Sequence, residues 1–243
     1  MVVTIVEDAD AASDAVADLL CDAIAARPSL VVGLPAGRTP LPLFAELGRR
    51  CVAGRVDFSQ VTTFNVDEFD GVASISPGSF RRFMEEQFFA HVNVERTRVN
   101  FLDGVAPDVI AECSRYEAAI AAAGGIDVQI LGIGANGHIG FNEPADQLIA
   151  MTHRSELSPR TRQANAASFD GRIEAVPHWA LTMGIGTILS TREVILIATG
   201  RAKAEAIARM IEGGLTTRVP ASFLQLHPRV RVVVDRSAAA RLT

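Results

Sequence analysis

Leu30-Val31-Val32-Gly33-Leu34-Pro35-Ala36-Gly37-Arg38-Thr39-Pro40 joins an apolar run to a turn rich in glycine and proline. The run, Leu30–Leu34, has no polar side chain at any position, which is typical of a strand buried on both faces of a parallel sheet. After the turn, Thr39 has the side chain of a helix N-cap and Pro40 suits the first helical position. The stretch therefore predicts a strand, a tight turn and a helix, the repeating unit of an α/β fold.

Further runs of the same kind extend this unit along the chain. They are Val2–Val6, Val61–Val66, Val128–Ile133, Val194–Thr199 and Val230–Asp235. Apolar residues at helical spacing lie between the runs, as in the stripes Val16, Leu20, Ala23, Ala26 and Val109, Cys113, Tyr116, Ile120. Alternation of strands and helices predicts an α/β fold with an open, doubly wound, mostly parallel sheet of Rossmann-like type.

Length and charge limit the classes of function. The chain has 243 residues, of which 49% are hydrophobic, and 23 Lys plus Arg stand against 28 Asp plus Glu for a net charge of −5. This composition excludes a disordered chain and disfavours nucleic acid as a partner, since nucleic-acid binders carry basic surfaces. No shift in composition or linker divides the chain, so we expect a single domain over residues 1–243.

Location and redox chemistry follow from other absences in the sequence. No apolar run has the roughly 18 residues of a membrane span, and the first residues lack the basic and apolar regions of a signal peptide. The three cysteines, Cys21, Cys51 and Cys113, are far apart and form no Cys-x-x-Cys pair. We therefore expect a cytoplasmic protein with no membrane partner and no structural metal.

One segment, from about residue 145 to residue 176, interrupts the alternation. We expect no clear strand in it, because polar residues dominate and four arginines, Arg154, Arg160, Arg162 and Arg172, are spread through it. Long irregular insertions in compact domains are commonly lids over a site. A helical surface excursion without a role is the alternative.

Two junctions between strand and helix could bind an anion, because ligands of such sheets bind at the carboxyl ends of the strands. At the first, free N–H groups at the helix start and the side chain of Arg38 would form a phosphate pocket with Gly37 and Thr39. At the second, Lys203 follows the run Val194–Thr199, where a bound anion would offset a cation placed at a helix start. The alternatives are an ordinary tight turn and a solvated surface cation.

Two other junctions offer acid–base chemistry. Asp67 and Glu68 follow the run Val61–Val66, and only one of them can face a ligand because neighbours in an extended segment point to opposite faces. A partly buried carboxylate can have a pKa raised towards neutrality and act as a general base, whereas a structural carboxylate would cap the following turn.

In Leu131–Pro144, four glycines surround His138, and Glu143 could orient the imidazole ring. One histidine and one or two carboxylates are too few to predict a zinc site.

Together, these stretches resemble the glucosamine-6-phosphate deaminase family, of the fold group shared with 6-phosphogluconolactonase and ribose-5-phosphate isomerase. The matching stretches appear in family order: 34–40, 63–68, 77–80, 132–144, 161–165, 180–184 and 224–228. The segment Gly-His-Ile-Gly-Phe-Asn-Glu-Pro (137–144) discriminates best, since the lactonases resemble it only as far as Gly-His.

The resemblance implies conversion of D-glucosamine 6-phosphate and water to D-fructose 6-phosphate and ammonia, with no cofactor and no metal. It implies that His138 opens the sugar ring, that Asp67 moves a proton between C2 and C1, and that Glu143 holds His138. Asn136 would lie beside these three catalytic residues. The residues implied for the phosphate are Gly37, Arg38, Thr39 and Lys203.

Three departures from the family pattern limit what the resemblance implies: the first concerns a charge-relay role for Asn136, and the other two concern the phosphate site. Some members have Asp at the position of Asn136, the phosphate loop usually reads Thr-Gly-Gly-Thr-Pro, and an arginine commonly follows the segment Thr161–Asn165 where this chain has Ala166-Ala167-Ser168. We hypothesise that Arg38 replaces, from the loop, a cation missing from the lid. The changes in the loop and the lid could instead mean that the substrate is a different amino-sugar phosphate or sugar phosphate.

Two other classes of function stay open. A 6-phosphogluconolactonase would use the His138 loop on a lactone, although Asp67 and Glu143 argue against it. A sugar-phosphate sensor of a bacterial regulator would carry a DNA-binding segment, and we see none before Val2. The partner is then a small sugar phosphate, and we expect a monomer or small homo-oligomer without allosteric control.

Overall fold

The computed structural model describes residues 1–243 and contains a seven-stranded sheet in which every neighbouring pair is parallel. In chain order its strands are β1 (Val2–Val6), β2 (Val31–Leu34), β3 (Thr62–Asn65), β5 (Val99–Asn100), β6 (Val128–Leu131), β9 (Glu193–Ala198) and β10 (Val230–Asp235). The spatial order is β1-β10-β9-β6-β2-β3-β5. The order runs outwards in both directions from the β2–β6 pair, so the topological switch point lies between these two strands.

Helices cover both faces of this sheet. The α-helices are α1 (Ala9–Ala26), α2 (Leu41–Val52), α3 (Phe80–Gln87), α4 (Val109–Ala122), α5 (Pro159–Asn165), α6 (Ile185–Leu189) and α7 (Ala204–Ile211). One apolar cluster packs α1, α2 and α3 against one face, and a second packs α4, α6 and α7 against the other. The expected class of fold is confirmed. No helix is long and apolar enough to cross a membrane.

The expected strands are present, with ends that shift by at most two residues. The burial expected for Val2–Val6 is wrong, because β1 is an edge strand with β10 as its only neighbour and Val2 is 61% exposed. Thr39 is not the N-cap of α2. That position belongs to Pro40, because the helix begins one residue later, at Leu41.

The two predicted stripes of apolar residues on helices differ in how completely they are buried. In α4, Cys113, Tyr116 and Ile120 are buried, as the spacing predicts. In α1, Val16 and Leu20 are buried, but Ala23 is only partly covered and Ala26, the last helical residue, is exposed.

A second sheet of three antiparallel strands was not expected. Its order is β4-β8-β7, with β4 at Asp67–Phe69, β7 at His153–Glu156 and β8 at Trp179–Thr182. The expectation that residues 145–176 hold no strand is therefore wrong. The sequence of β7, His-Arg-Ser-Glu, is polar throughout and forms a strand because it pairs with β8.

Gly184 joins this lid segment (residues 145–176) to the main body. It is the N-cap of α6, whose first turn donates from Ile185 N–H to the Ile149 carbonyl and from Thr187 N–H to the Ala150 carbonyl. A Cβ at position 184 would overlap the backbone carbonyl oxygens of Ala150 and Met151. Backbone atoms cannot rotate away, so only glycine allows this approach.

We expect Gly184→Ala to lower the free energy of unfolding by about 1–3 kcal/mol, since overpacking against backbone forces it to shift. The matched control is Gly214→Ala, where a Cβ meets no atom within 4 Å and the backbone is not left-handed. Denaturant unfolding of both variants is the measurement. Equal stability of the two variants would contradict this packing account.

Candidate active site

A cavity of about 260 Å³ opens at the carboxyl ends of β2, β3 and β6, beside the switch point. Its walls come from the loop after β2, from Asp67 at the start of β4, from the loop after β6, and from α5 of the lid segment. Because β2, β3 and β6 are parallel, the residues that follow them meet at one edge of the sheet. The structure thus brings together in this cavity Gly37, Arg38, Thr39, Asp67, Asn136, His138 and Lys203.

The cationic part of the cavity contains Arg38 and Lys203. Gly37 has a φ of +97°, a conformation that favours glycine, and it turns the chain so that residues 37–39 line the wall. The Lys203 ammonium donates to the Ile133 carbonyl at 2.6 Å. Burial lowers the pKa of Lys203, and the charges of Arg160 and Arg38 lower it further. Lys203 lies one residue before α7, in a 3-10 turn, rather than inside the helix.

Asp67 and Glu68 point to different surroundings, as their position in an extended segment predicts. Asp67 lines the cavity, whereas Glu68 accepts hydrogen bonds from Ser79 Oγ at 2.8 Å and from the N–H groups of Phe80 and Arg81 at 3.0 and 2.9 Å. Glu68 therefore caps α3 and has the structural role. Burial, and then the neighbouring charge of Glu68, raise the pKa of Asp67 to about 8.

His138, Glu143 and Asn136 form a second group. His138 Nδ1 lies 3.6 Å from Glu143 Oε2, and Asn136 Nδ2 donates to that same oxygen at 2.8 Å. Burial alone would raise the pKa of Glu143, but contacts with His138, Thr161 and Asn136 outweigh burial and lower it to about 2. Glu143 does not line the cavity itself, so it acts on the cavity through His138 and Asn136.

The first turn of α5 touches this group from the lid segment. Ser158 donates from its N–H and its hydroxyl to Glu143 Oε1, at 3.3 and 3.1 Å, and Thr161 Oγ1 lies 3.5 Å from His138 Nδ1. Ser158 is the N-cap of α5, and Pro159 follows it. Ser-Pro is a recognisable helix start, and this signal could have placed the turn from the sequence.

Arg160 lies in the same turn, lines the cavity, and was missed as a site residue. The sequence shows it only as one of four arginines between residues 145 and 176, with nothing to choose among them. The lid segment does place a cation at the cavity, because Arg160 lines it although Ala166–Ser168 supplies none. Arg38 lines the cavity as well, and its contact with a phosphate stays a prediction.

The side chains of the cavity suit a substrate that carries a phosphate and undergoes proton transfer. A carboxylate with a pKa near 8 and an imidazole paired with an ionised carboxylate can both transfer protons near neutral pH. Arg38 and Arg160 form no ion pair with a carboxylate of the chain, so their donors are available to an anion. Fold and site together define an α/β protein whose cavity combines acid–base side chains with cations.

Sequence comparison places the chain in a family. Residues 6–233 match the family of glucosamine-6-phosphate isomerases and 6-phosphogluconolactonases, and the chain belongs to it. A glucosamine-6-phosphate deaminase of Alkaliphilus oremlandii is 46% identical over all of both chains. That of Halothermothrix orenii is 46% identical over 92% of each chain. The predicted family resemblance is confirmed.

Solved structures agree with this assignment. A monomeric glucosamine-6-phosphate deaminase superposes with a TM-score of 0.96 at 40% identity, over 99% of this chain and 100% of that one. A 6-phosphogluconolactonase from Leishmania guyanensis superposes with a TM-score of 0.77 at 20% identity, over 100% of this chain and 98% of that one. The second likeness concerns the fold alone.

The raised pKa of Asp67 predicts a pH-dependent stability. Between the ordinary pKa of aspartate, 3.8, and about 8, the folded state holds a proton that the unfolded state has lost, so stability falls as pH rises. The limiting slope is about 1.4 kcal/mol per pH unit. We expect Asp67→Asn, which cannot ionise, to gain stability relative to the wild type as pH rises from 4 to 8.

Denaturant unfolding of the two proteins across that pH range measures the difference between their free energies of unfolding. The control is Asp14→Asn, since Asp14 is exposed on α1. A gap between Asp67→Asn and the wild type that stays constant with pH would show that Asp67 titrates normally.

Proposed function

We propose that this protein converts D-glucosamine 6-phosphate and water to D-fructose 6-phosphate and ammonia. The observation that carries the proposal is one cavity that combines Asp67 and the His138–Glu143 pair with unpaired cations. The deaminases at 46% identity over the length of the chain support the same substrate. The reaction is an aldose–ketose isomerisation that ends in hydrolytic loss of the amino group, and it belongs to amino-sugar catabolism.

The phosphate sets the position of the sugar. Gly37, Arg38, Thr39 and Lys203 bind it at one side of the cavity, so that binding energy is used to place C1 and C2 at the acid–base groups. A single dianion needs only a few fixed donors, which explains how a chain of net charge −5 can bind it.

His138 opens the pyranose ring. It moves the proton of the C1 hydroxyl to the ring oxygen, which breaks the bond between C1 and that oxygen and leaves an aldehyde at C1. Glu143 stays ionised because its pKa is about 2, so it stabilises the protonated imidazole and fixes its orientation. Asn136 donates to Glu143 Oε2, the carboxylate oxygen that lies nearest to His138, and so helps to hold that carboxylate beside the imidazole.

Asp67 carries the proton between the two carbons. Its carboxylate takes the C2 proton while a proton of the C2 ammonium group passes to the C1 oxygen, which gives an enol with a neutral amino group. Asp67 then returns its proton to C1, which leaves a protonated imine at C2. Water adds to that imine and ammonia departs, so the ketone of fructose 6-phosphate forms. The ammonium group on C2 of the substrate favours ionised Asp67, because an opposite charge nearby lowers a carboxyl pKa.

A lactonase reaction needs no carrier of a proton between carbons. Lactone hydrolysis therefore gives the buried Asp67 no task, whereas the isomerase reaction uses it as the proton carrier. The isomerase reaction explains more of the site for that reason.

We propose a monomer, supported by the monomeric state of the deaminase with a TM-score of 0.96. Cytoplasmic location stays a prediction.

We expect the purified wild type to release ammonia and fructose 6-phosphate in equal amounts from glucosamine 6-phosphate. Asp67→Asn should lower kcat on the order of 10²–10⁴-fold, because the C2 proton then has no acceptor. Coupled assays of both products make the measurement, with Asp14→Asn as the control. A wild type that releases no ammonia but hydrolyses 6-phosphogluconolactone would establish the lactonase instead.

Glu143→Gln tests the partner of His138. The amide keeps the size of the carboxylate but not its charge, so we expect kcat to fall roughly 10- to 1,000-fold with little change in KM. The matched control is Glu156→Gln on β7, whose side chain is exposed. A rise in KM with an unchanged kcat would assign Glu143 to substrate binding.

A further inference from the structure

Arg160 approaches the cavity from the lid segment, on the wall that also includes Arg38 and Lys203. The three cations lie close enough that the charges of Arg160 and Arg38 act on Lys203. Like charges without a counter-charge repel one another, and a phosphate dianion among them would replace the repulsion with charge-assisted hydrogen bonds. The charges that line this cavity therefore favour an anionic ligand.

The other arginines of the lid segment are already engaged or lie outside the cavity. Arg154 pairs with Asp70 at 2.6 Å and stacks on the ring of Trp179. Arg162 donates to the carbonyls of Val176 and Ile173, at 3.1 and 2.8 Å. Arg172 lies 3.7 Å from a carboxylate oxygen of Asp170 and does not line the cavity. Arg160 alone among the four both lacks an ion-pair partner and lines the cavity.

The same turn contacts the acid–base pair on both sides of Arg160. Ser158 donates to Glu143, and Thr161 lies beside His138. Ser158 Oγ also accepts from Thr161 N–H at 3.2 Å, which makes residues 158–161 one hydrogen-bonded unit. A contact that fixes Arg160 therefore also fixes Ser158 and Thr161, which hold Glu143 and His138.

We propose that Arg160 binds the substrate phosphate and that this contact holds the first turn of α5 in the position that orients His138 and Glu143. The inference rests on the proposed function, because the phosphate belongs to its substrate. It assigns to the lid segment a double role: the segment closes on the phosphate, and through Ser158 and Thr161 the same closure prepares the proton transfer at C1. Phosphate binding and ring opening are then coupled through a turn of four residues.

Kinetics with glucosamine 6-phosphate make the first test. We expect Arg160→Ala to lower kcat/KM roughly 10- to 100-fold, the equivalent of one charge-assisted hydrogen bond, with changes in both KM and kcat. Arg160→Lys should recover part of the loss, since it keeps the charge. The matched control, Arg172→Ala, removes an arginine of the same segment outside the cavity and should change kcat/KM less than about twofold. Equal kcat/KM for Arg160→Ala and Arg172→Ala would overturn the proposal.

A second test does not depend on catalysis. Lys203 is the only lysine in the chain, so an aldehyde followed by borohydride labels it at a site that peptide mapping can separate from the N-terminus. We expect pyridoxal 5′-phosphate to label Lys203 more slowly in Arg160→Ala than in the wild type. Pyridoxal, which lacks the phosphate, corrects for any change in the reactivity of the amine.

The two tests separate the two proposals. A wild type without deaminase activity would refute the proposed function, while slower labelling by the phosphorylated aldehyde alone would still support Arg160 as a phosphate ligand. An equal ratio of the two labelling rates in Arg160→Ala and the wild type would overturn that role, even if the wild type is an active deaminase.

Discussion

The common direction of seven strands is the constraint on which the site depends. Because every strand of the large sheet is parallel, the loops that follow β2, β3 and β6 all emerge at one edge. The order reverses between β2 and β6, and this leaves a crevice that no crossover helix fills. Residues far apart in the chain, such as Gly37, Asp67 and His138, line one cavity for that reason.

Within that cavity, similar groups acquire different chemistry from their surroundings. Burial and the nearby charge of Glu68 raise the pKa of Asp67 to about 8, so this carboxyl can take and return a proton near neutral pH. Glu143, with donors around it, has a pKa near 2 and stays a fixed negative charge beside His138. Arg38, Arg160 and Lys203 line the cavity without carboxylate partners. The proposed division of roles between proton carrier, oriented imidazole and anion site thus has a physical basis at each residue.

Much of this arrangement could be predicted from the sequence, because buried parallel strands and the loops after them carry local signals. The opposite orientations of Asp67 and Glu68 follow from the alternation of an extended chain, and the helical spacing of Cys113, Tyr116 and Ile120 predicts their burial. Features that depend on tertiary pairing could not be predicted. The polar strand β7 exists only because β8 lies beside it, and β1 is exposed because it lies at the edge of the sheet. Arg160 could be chosen only after the partners of the other lid arginines were known.

A crystal structure with the open-chain alditol analogue of glucosamine 6-phosphate tests the central claim most directly. The analogue cannot isomerise, because it has no carbonyl at C1. The account predicts the phosphate among Arg38, Arg160 and Lys203, with C1 and C2 beside Asp67 and the C1 hydroxyl within hydrogen-bond distance of His138. An analogue bound with its phosphate away from these cations, or with C2 out of reach of Asp67, would contradict it.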